Sequence, residues 1–520
     1  MIGLPRRILC GFLLTSLALP GAESDLQVRI QTGVVEGKAE GAVRAFLGIP
    51  YAAPPVGDLR WKPPAPALPW EGVRPAKEFG PRPMQPAVYK DMIFRDPGCS
   101  EDCLSLNVWT PVTDAKSRLP VMVWIFGGGF FAGGSSEQRQ DGSHLAELGV
   151  VVVSMNYRLG LFGFFAHPDL IRESPYHAAG NYGLMDQLAA IRWVHDNISA
   201  FGGDPANVTI FGQSAGSFSV SALMASPLAK GLFQKAIGES GGAFFSRSLP
   251  QRPLATVAAE DAETVGKITG ARTLADLRAI PAQALLDAVS KTSDGGRPRF
   301  GMDIDGYFLP ESVPAIFAEG KQNAVPLLAG WNRDEGGLLL PENPPPTESM
   351  KKTAGDQFGD RANEFLALYP TDTEQRAARS GAEFAADRFI AFGTWAWIEA
   401  ETRTGGQPIY RYRFDTAPPT DFFGVKKGVF HSAEIPYVFG EFDSEPQVPW
   451  TPEDREVSRL IQAYWTNFAR TGDPNGPGLP DWPVYSPSTG WKVLHIDSPA
   501  AAQPDDFRPR YLFLAQEWEK

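Results

Sequence analysis

The stretch Gly212-Gln213-Ser214-Ala215-Gly216 sets a serine between two glycines. The short apolar run Val208 to Phe211 precedes it, and helix-spaced residues from Ala215 to Met224 follow. A serine on a sharp strand-to-helix turn is crowded, and glycines two residues to either side remove the clashing Cβ atoms. Such a turn exposes the hydroxyl at the carboxyl edge of a sheet and beside a helix N-terminus, where free N–H groups favour negative charge. The chemistry on offer is attack by Ser214 on a carbonyl, and a purely structural Gly-Ser turn is the alternative.

An acyl-transfer serine needs donors for the oxyanion, and the N–H of Ala215 is the first. After the apolar run Val121 to Phe126 comes Gly127-Gly128-Gly129-Phe130. A glycine run lets backbone approach a substrate closely, which makes Gly128 and Gly129 the other donors. A phosphate-binding loop is the competing reading, but this one lacks the Lys-Ser/Thr ending.

On an elbow of this kind the acid and then the base follow the nucleophile in the chain. Of the six histidines, His144, His167, His177 and His195 precede Ser214, leaving His431 and His495. His495 sits in the alternating stretch Trp491 to Ile496, the usual place for a structural histidine, whereas His431 follows Gly428-Val-Phe in a loop and is favoured. For the acid, the predicted strand Ala324 to Gly330 runs into Trp331-Asn-Arg-Asp334-Glu335, and Asp415 follows the predicted strand Ile409 to Phe414. Position puts Glu335 narrowly ahead of Asp334 and Asp415, with an exposed loop carboxylate as the alternative for each.

Val121–Phe126, Val150–Ser154 and Val208–Phe211 are continuously apolar, the pattern of strands covered on both faces, and Asn181 to Asn197 between the last two has helical spacing. Strands alternating with helices imply an α/β sheet. Gln31–Gly37 and Ala45–Ile49 read as antiparallel hairpin strands ahead of it, and the Pro-rich stretch Ala52 to Trp70 as irregular. In the second half, helices are predicted at Leu254–Ile268, Thr273–Ser290 and Asn363–Tyr369, and a last strand at Trp491–Ile496. Ser293–Gly296 and Pro341–Pro346 are the strongest breakers, yet neither separates segments of contrasting composition. The expectation is one domain over residues 23–520 with long insertions.

The 520 residues are 43 % hydrophobic and 21 % charged, which excludes a disordered or fibrous chain. A net charge of −12 with no long basic run argues against nucleic-acid binding. At the start, Arg6-Arg7 precedes the apolar stretch Ile8 to Leu19 and the exit Pro20-Gly21-Ala22. That pattern describes a signal peptide over residues 1–22 and a secreted or periplasmic mature chain without a membrane-spanning segment. Cys10 falls inside the signal. In an oxidising compartment, Cys99 and Cys103, five residues end to end, are expected to form a disulfide.

The chain resembles the type-B carboxylesterases, the α/β-hydrolases that include the cholinesterases. The resemblance rests on Ala45–Pro55, Ser100-Glu-Asp-Cys-Leu104 with Leu106-Asn-Val-Trp109, Gly127–Phe130, Asn156-Tyr-Arg158, Asn197–Pro205, Phe211–Gly216, Asp334-Glu-Gly336 and His431, in family order. It implies an α/β-hydrolase fold with a large, mostly parallel sheet flanked by helices, and hydrolysis of small-molecule carboxylic esters through an acyl-enzyme without metal or organic cofactor. It also places the acid on Glu335, the base on His431 and a supporting hydroxyl on Ser240. The family's usual partner for Cys103 is missing near Pro83-Met84-Gln85, a gap that Cys99 would fill. Cholinesterases carry a Trp about ten residues before that cysteine and a Glu before the nucleophile; here Ile93 and Gln213 occupy those places. An amidase or lactam hydrolase would use the same triad, and a relative without catalysis would lack parts that this chain has.

Overall fold

Apolar runs without polar alternation can be strands only where helices cover both faces. In the computed structural model, which describes residues 26–111, 114, 116–244, 250–291, 298–336, 347–420 and 428–518, these runs lie inside an eleven-stranded sheet. In chain order its strands are β1 (Lys38–Glu40), β2 (Val43–Pro50), β3 (Ser105–Thr110), β4 (Leu119–Ile125), β5 (Val151–Met155), β6 (Gly203–Gln213), β7 (Lys235–Glu239), β8 (Leu327–Asn332), β9 (Ile409–Phe414), β10 (Lys492–Ile496) and β11 (Ala501–Pro504). Across the sheet they run β11-β10-β9-β8-β7-β6-β4-β5-β3-β2-β1. Pairing is parallel from β5 through β4, β6, β7, β8 and β9 to β10, and antiparallel at both ends. Strands β5, β7 and β8 are buried at every residue. This is the mostly parallel, helix-flanked sheet expected from the sequence.

Helices α1 (Tyr182–Asn197), α2 (Ala215–Ala225), α3 (Phe392–Thr404) and α4 (Pro452–Thr471) are among those that cover the sheet. All of α2 is buried, so its polar faces carry serines that bond to nearby backbone: Ser217 to the Gly241 carbonyl and Ser221 to the Phe218 carbonyl. α4 starts at a capping box between Thr451 and Asp454 with Pro452 in its first turn, and stops at Gly472 in the left-handed conformation. Its buried stripe of Val457, Leu460, Ile461, Tyr464, Trp465 and Phe468 follows helical spacing and faces the core.

Several elements depart from the sequence-based expectation. Gly33–Glu36 does not join the large sheet; it pairs with Gln27–Ile30 and Val73–Pro75 in a separate three-stranded sheet. The helix expected over Thr273–Ser290 is two, Leu274–Ala279 and Ala282–Ser290, because Pro281 disfavours a helical Ile280 and cannot donate backward. The breakers Ser293–Gly296 and Pro341–Pro346 and the signal over residues 1–22 lie outside the described residues.

The expected disulfide is corrected: Cys99 and Cys103 are both free thiols. Cys99 and Ser100 pair with Arg82–Pro83 in a two-stranded ladder, so the five residues never close one turn. The exposed Cys99 Sγ faces the Gln85 carbonyl at 3.9 Å, whereas Cys103 turns into the core. Burial pushes the Cys103 thiol well above its usual pKa. Among the described residues, no helix is long and apolar enough to cross a membrane.

Candidate active site

Ser214 stands between the end of β6 and the start of α2 with φ 54° and ψ −121°. A non-glycine residue with positive φ is strained, and here the surroundings hold it. The Ser214 N–H donates to the Glu239 carbonyl at the end of β7 (2.9 Å), and Phe218 N–H returns to the Ser214 carbonyl (2.9 Å). A Cβ on Gly216 would collide with the Ile125 carbonyl of β4, so only glycine lets α2 press this close to the sheet. The elbow predicted from the sequence is therefore present, with the serine half-buried at the carboxyl edge of the parallel strands.

The glycine loop after β4 lies against this elbow: a Cβ on Gly127 would stand 2.6 Å from the Gln213 carbonyl and 3.0 Å from Ser214 Cβ. Gly128 and Gly129 have φ of 112° and 65°, and a Cβ on Gly128 would meet the Ala132 carbonyl. Among the described residues, the N–H groups of Gly128, Gly129 and Ala215 have no acceptor. Three free donors beside the Ser214 hydroxyl are the arrangement that a developing oxyanion would need.

Glu335 is fully buried just beyond β8 and is saturated with donors. Its Oε1 accepts from the Ser240 hydroxyl (2.5 Å) and the Asn332 N–H (2.8 Å), and its Oε2 accepts from His431 Nδ1 (2.5 Å). With Nδ1 protonated, Nε2 carries the lone pair. That atom faces Gln213 Nε2 at 3.4 Å, on the residue directly before Ser214. The structure thus brings together Glu335, His431, Ser240 and Gln213. Among the described residues the Ser214 hydroxyl itself has no hydrogen-bond partner.

The competing candidates resolve into other roles. Asp415 and His495 pair with each other, Oδ2 to Nδ1 at 2.7 Å, and Arg413 completes the set at 2.8 Å. Burial alone would raise the Asp415 pKa; the bonds from His495 and Arg413 outweigh it and hold the carboxyl below the usual range. Asp334 points away from the imidazole: its Oδ2 accepts the Val429 N–H (2.8 Å), and its own N–H donates to the Val429 carbonyl (3.0 Å). It steadies the loop that carries the histidine.

Sequence reasoning missed a group behind the imidazole. Asn332 Nδ2 donates to the Phe430 carbonyl (2.8 Å) and to Glu434 Oε2, tying β8 to the loop that carries His431. Glu434 is fully buried and pushed up to about 7, first by desolvation and then by the Glu335 charge. Glu239, also fully buried, accepts from Trp465 Nε1 of α4 at 2.7 Å and is held well above its usual pKa by desolvation and by Glu434. Phe389, on a π-helical turn Asp387–Ala391, sets its ring 5.1 Å from the His431 ring at 73°. Only Glu434 left a trace in the sequence, three residues after His431. Burial depresses the His431 pKa, but Glu335 and Glu434 more than offset this and leave it raised above 6.5.

Comparison with known proteins gives a consistent result. A model of the carboxylesterase family matches residues 24–511. The chain is 38 % identical over 490 residues to a fumonisin B1 esterase of Sphingopyxis macrogoltabida, covering 91 % of this chain and 88 % of that one. It is 38 % identical over 488 residues to the para-nitrobenzyl esterase of Bacillus subtilis, covering 92 % and 96 %. Among solved structures, a PNB esterase superposes with a TM-score of 0.80 at 36 % identity, covering 94 % of this chain and 99 % of that one.

Proposed function

The chain belongs to the carboxylesterase family and is a carboxylic ester hydrolase with the α/β-hydrolase fold, and on that premise we propose that Ser214, His431 and Glu335 carry its reaction. The observation that supports this most is the buried Glu335, bonded to His431 Nδ1 while His431 Nε2 faces the elbow. His431 takes the proton of Ser214 as its oxygen attacks the ester carbonyl, and the N–H groups of Gly128, Gly129 and Ala215 receive the oxyanion. Glu335 fixes the ring tautomer and stabilises the imidazolium, with Ser240 holding the carboxylate's other oxygen. His431 then protonates the leaving alcohol, and water repeats the sequence on the acyl-enzyme. Residues 23–520 act as one unit in this reading, since Lys38–Glu40 and Val43–Pro50 near the start and Lys492–Ile496 and Ala501–Pro504 near the end join the same sheet. The basic head and apolar stretch at residues 1–22 support export of the mature chain.

The pH profile tests the base. Catalysis needs neutral imidazole, and the His431 pKa is raised, so activity falls as pH drops through a value above 6.5. The acid limb of kcat/KM is expected above that value, and Glu434→Gln, which removes a nearby negative charge, moves it down while turnover persists. A limb below 6.5 that Glu434→Gln leaves in place contradicts the assignment.

We further propose a preference for neutral esters over acylcholines. Ile93 offers no aromatic face, Gln213 offers no charge, and the neighbouring Phe94 ring already carries the Arg82 guanidinium at 4.7 Å. Losing a desolvated cation–π contact costs about 2 kcal/mol. Comparing kcat/KM for an acylcholine and its 3,3-dimethylbutyl isostere is expected to favour the neutral ester. A tenfold preference for the cation overturns this.

A further inference from the structure

The glycine loop is held at its entry, middle and exit by different groups. At the entry, the Tyr157 hydroxyl donates to the Phe126 carbonyl (2.7 Å); in the middle, the Gly160 N–H donates to the Phe130 carbonyl (2.7 Å). Inside, the Phe131 and Ala132 N–H groups both turn back to the Gly128 carbonyl (3.2 and 3.1 Å). The exit is Gly133, which lies so near the entry that a Cβ there would stand 2.6 Å from the Gly127 carbonyl. Both backbone groups of Gly133 are taken by one buried side chain. Gln85 Oε1 accepts the Gly133 N–H (2.8 Å), and Gln85 Nε2 donates to the Gly133 carbonyl (2.6 Å) and to the Pro83 carbonyl (3.1 Å).

Gln85 is anchored without a covalent tie. The two-stranded ladder of Arg82–Pro83 with Cys99–Ser100 precedes it, and the Arg82 side chain is fixed by Asp96 at 2.5 Å and by the Phe94 ring. Both cysteines of that region are free. We propose that Gln85 is a positioning residue for ester hydrolysis: its amide fixes the exit of the Gly127–Gly133 loop and thereby the direction of the Gly128 and Gly129 N–H groups. The proposal rests on the reading of those glycines as oxyanion donors. Only an amide fits, because it presents a donor and an acceptor in one rigid plane. Gln85→Glu keeps the acceptor and loses the donor, and Gln85→Met loses both, depriving three buried backbone groups, the Gly133 N–H and the Gly133 and Pro83 carbonyls, of their side-chain partner.

The test compares Gln85→Met and Gln85→Glu with the wild-type full chain on a matched pair, an ester and its thionoester. Sulfur is a poor acceptor for N–H groups, so the oxo-to-thiono ratio of kcat reads the oxyanion cradle; a misfolded fraction lowers both rates alike and cancels. The expected result is a fall in ester kcat of about 10- to 100-fold, with KM within about threefold and the oxo-to-thiono ratio reduced about tenfold, less for Glu than for Met. A wild type that discriminates, with both variants discriminating equally well, overturns the role of Gln85 and leaves the oxyanion reading standing. A wild type that does not discriminate overturns that reading and the proposal with it.

Discussion

Ser214→Ala lowers kcat for a good ester substrate by about three orders of magnitude or more, with little change in fold stability. The size follows from the elbow. Among the described residues, Ser240 and Ser432 also have positive φ, but no second serine combines it with the Glu239 carbonyl bond and the loop of free N–H groups, so nothing replaces the missing oxygen. Residual turnover is then expected from the proposed oxyanion donors Gly128, Gly129 and Ala215, whose N–H groups stay in place. Thermal unfolding of the variant near the wild-type midpoint, with turnover lost, separates this outcome from damage to the sheet. Retention of more than about a tenth of wild-type kcat contradicts the assignment.

His431→Ala is expected to cost about as much as Ser214→Ala, and Glu335→Gln about two to three orders of magnitude, because residues acting as a unit lose function together. Combining either change with Ser214→Ala adds little. The comparison set carries the discrimination. His495→Ala and Asp415→Asn disturb only the cluster that those two side chains form with Arg413, so kcat/KM stays within a few-fold of wild type. Asp334→Asn weakens the hold on Val429 and falls between, at about tenfold or less. Equal losses at Asp334 and Glu335, or at His495 and His431, overturn the assignment of acid and base.

The parts legible in the sequence are those with short-range signatures. Val121–Phe126, Val150–Ser154 and Val208–Phe211 announced β4, β5 and β6 because burial on both faces leaves no polar alternation, and Gly212–Gly216 announced the elbow because only small neighbours relieve its crowding. Strand β7 escaped: Lys235-Ala-Ile-Gly-Glu239 carries two ionisable ends and a glycine, and it is buried only because neighbours satisfy or neutralise them. Trp465 bonds Glu239 from a helix 226 residues away in sequence. Asp334 and Glu335 could not be separated by position, since adjacent residues at a strand end differ in direction; the resemblance chose Glu335, the carboxylate that bonds to Ser240, Asn332 and His431. The Cys99–Cys103 expectation failed because spacing says nothing of the ladder that Cys99 enters with Arg82. Gln85 was visible only as the place where a cysteine was missing, and its bond to Gly133 spans 48 residues.

The central claim is that ester cleavage passes through an acyl group on Ser214, and covalent trapping tests it most directly. Reaction of the purified protein with a fluorinated organophosphate, followed by digestion and peptide mass spectrometry, is expected to place a single adduct on Ser214, in step with loss of activity. His431→Ala slows the labelling sharply, and Ser214→Ala abolishes it. An adduct on any other serine that tracks the loss of activity, or full inactivation with Ser214 unmodified, contradicts the account.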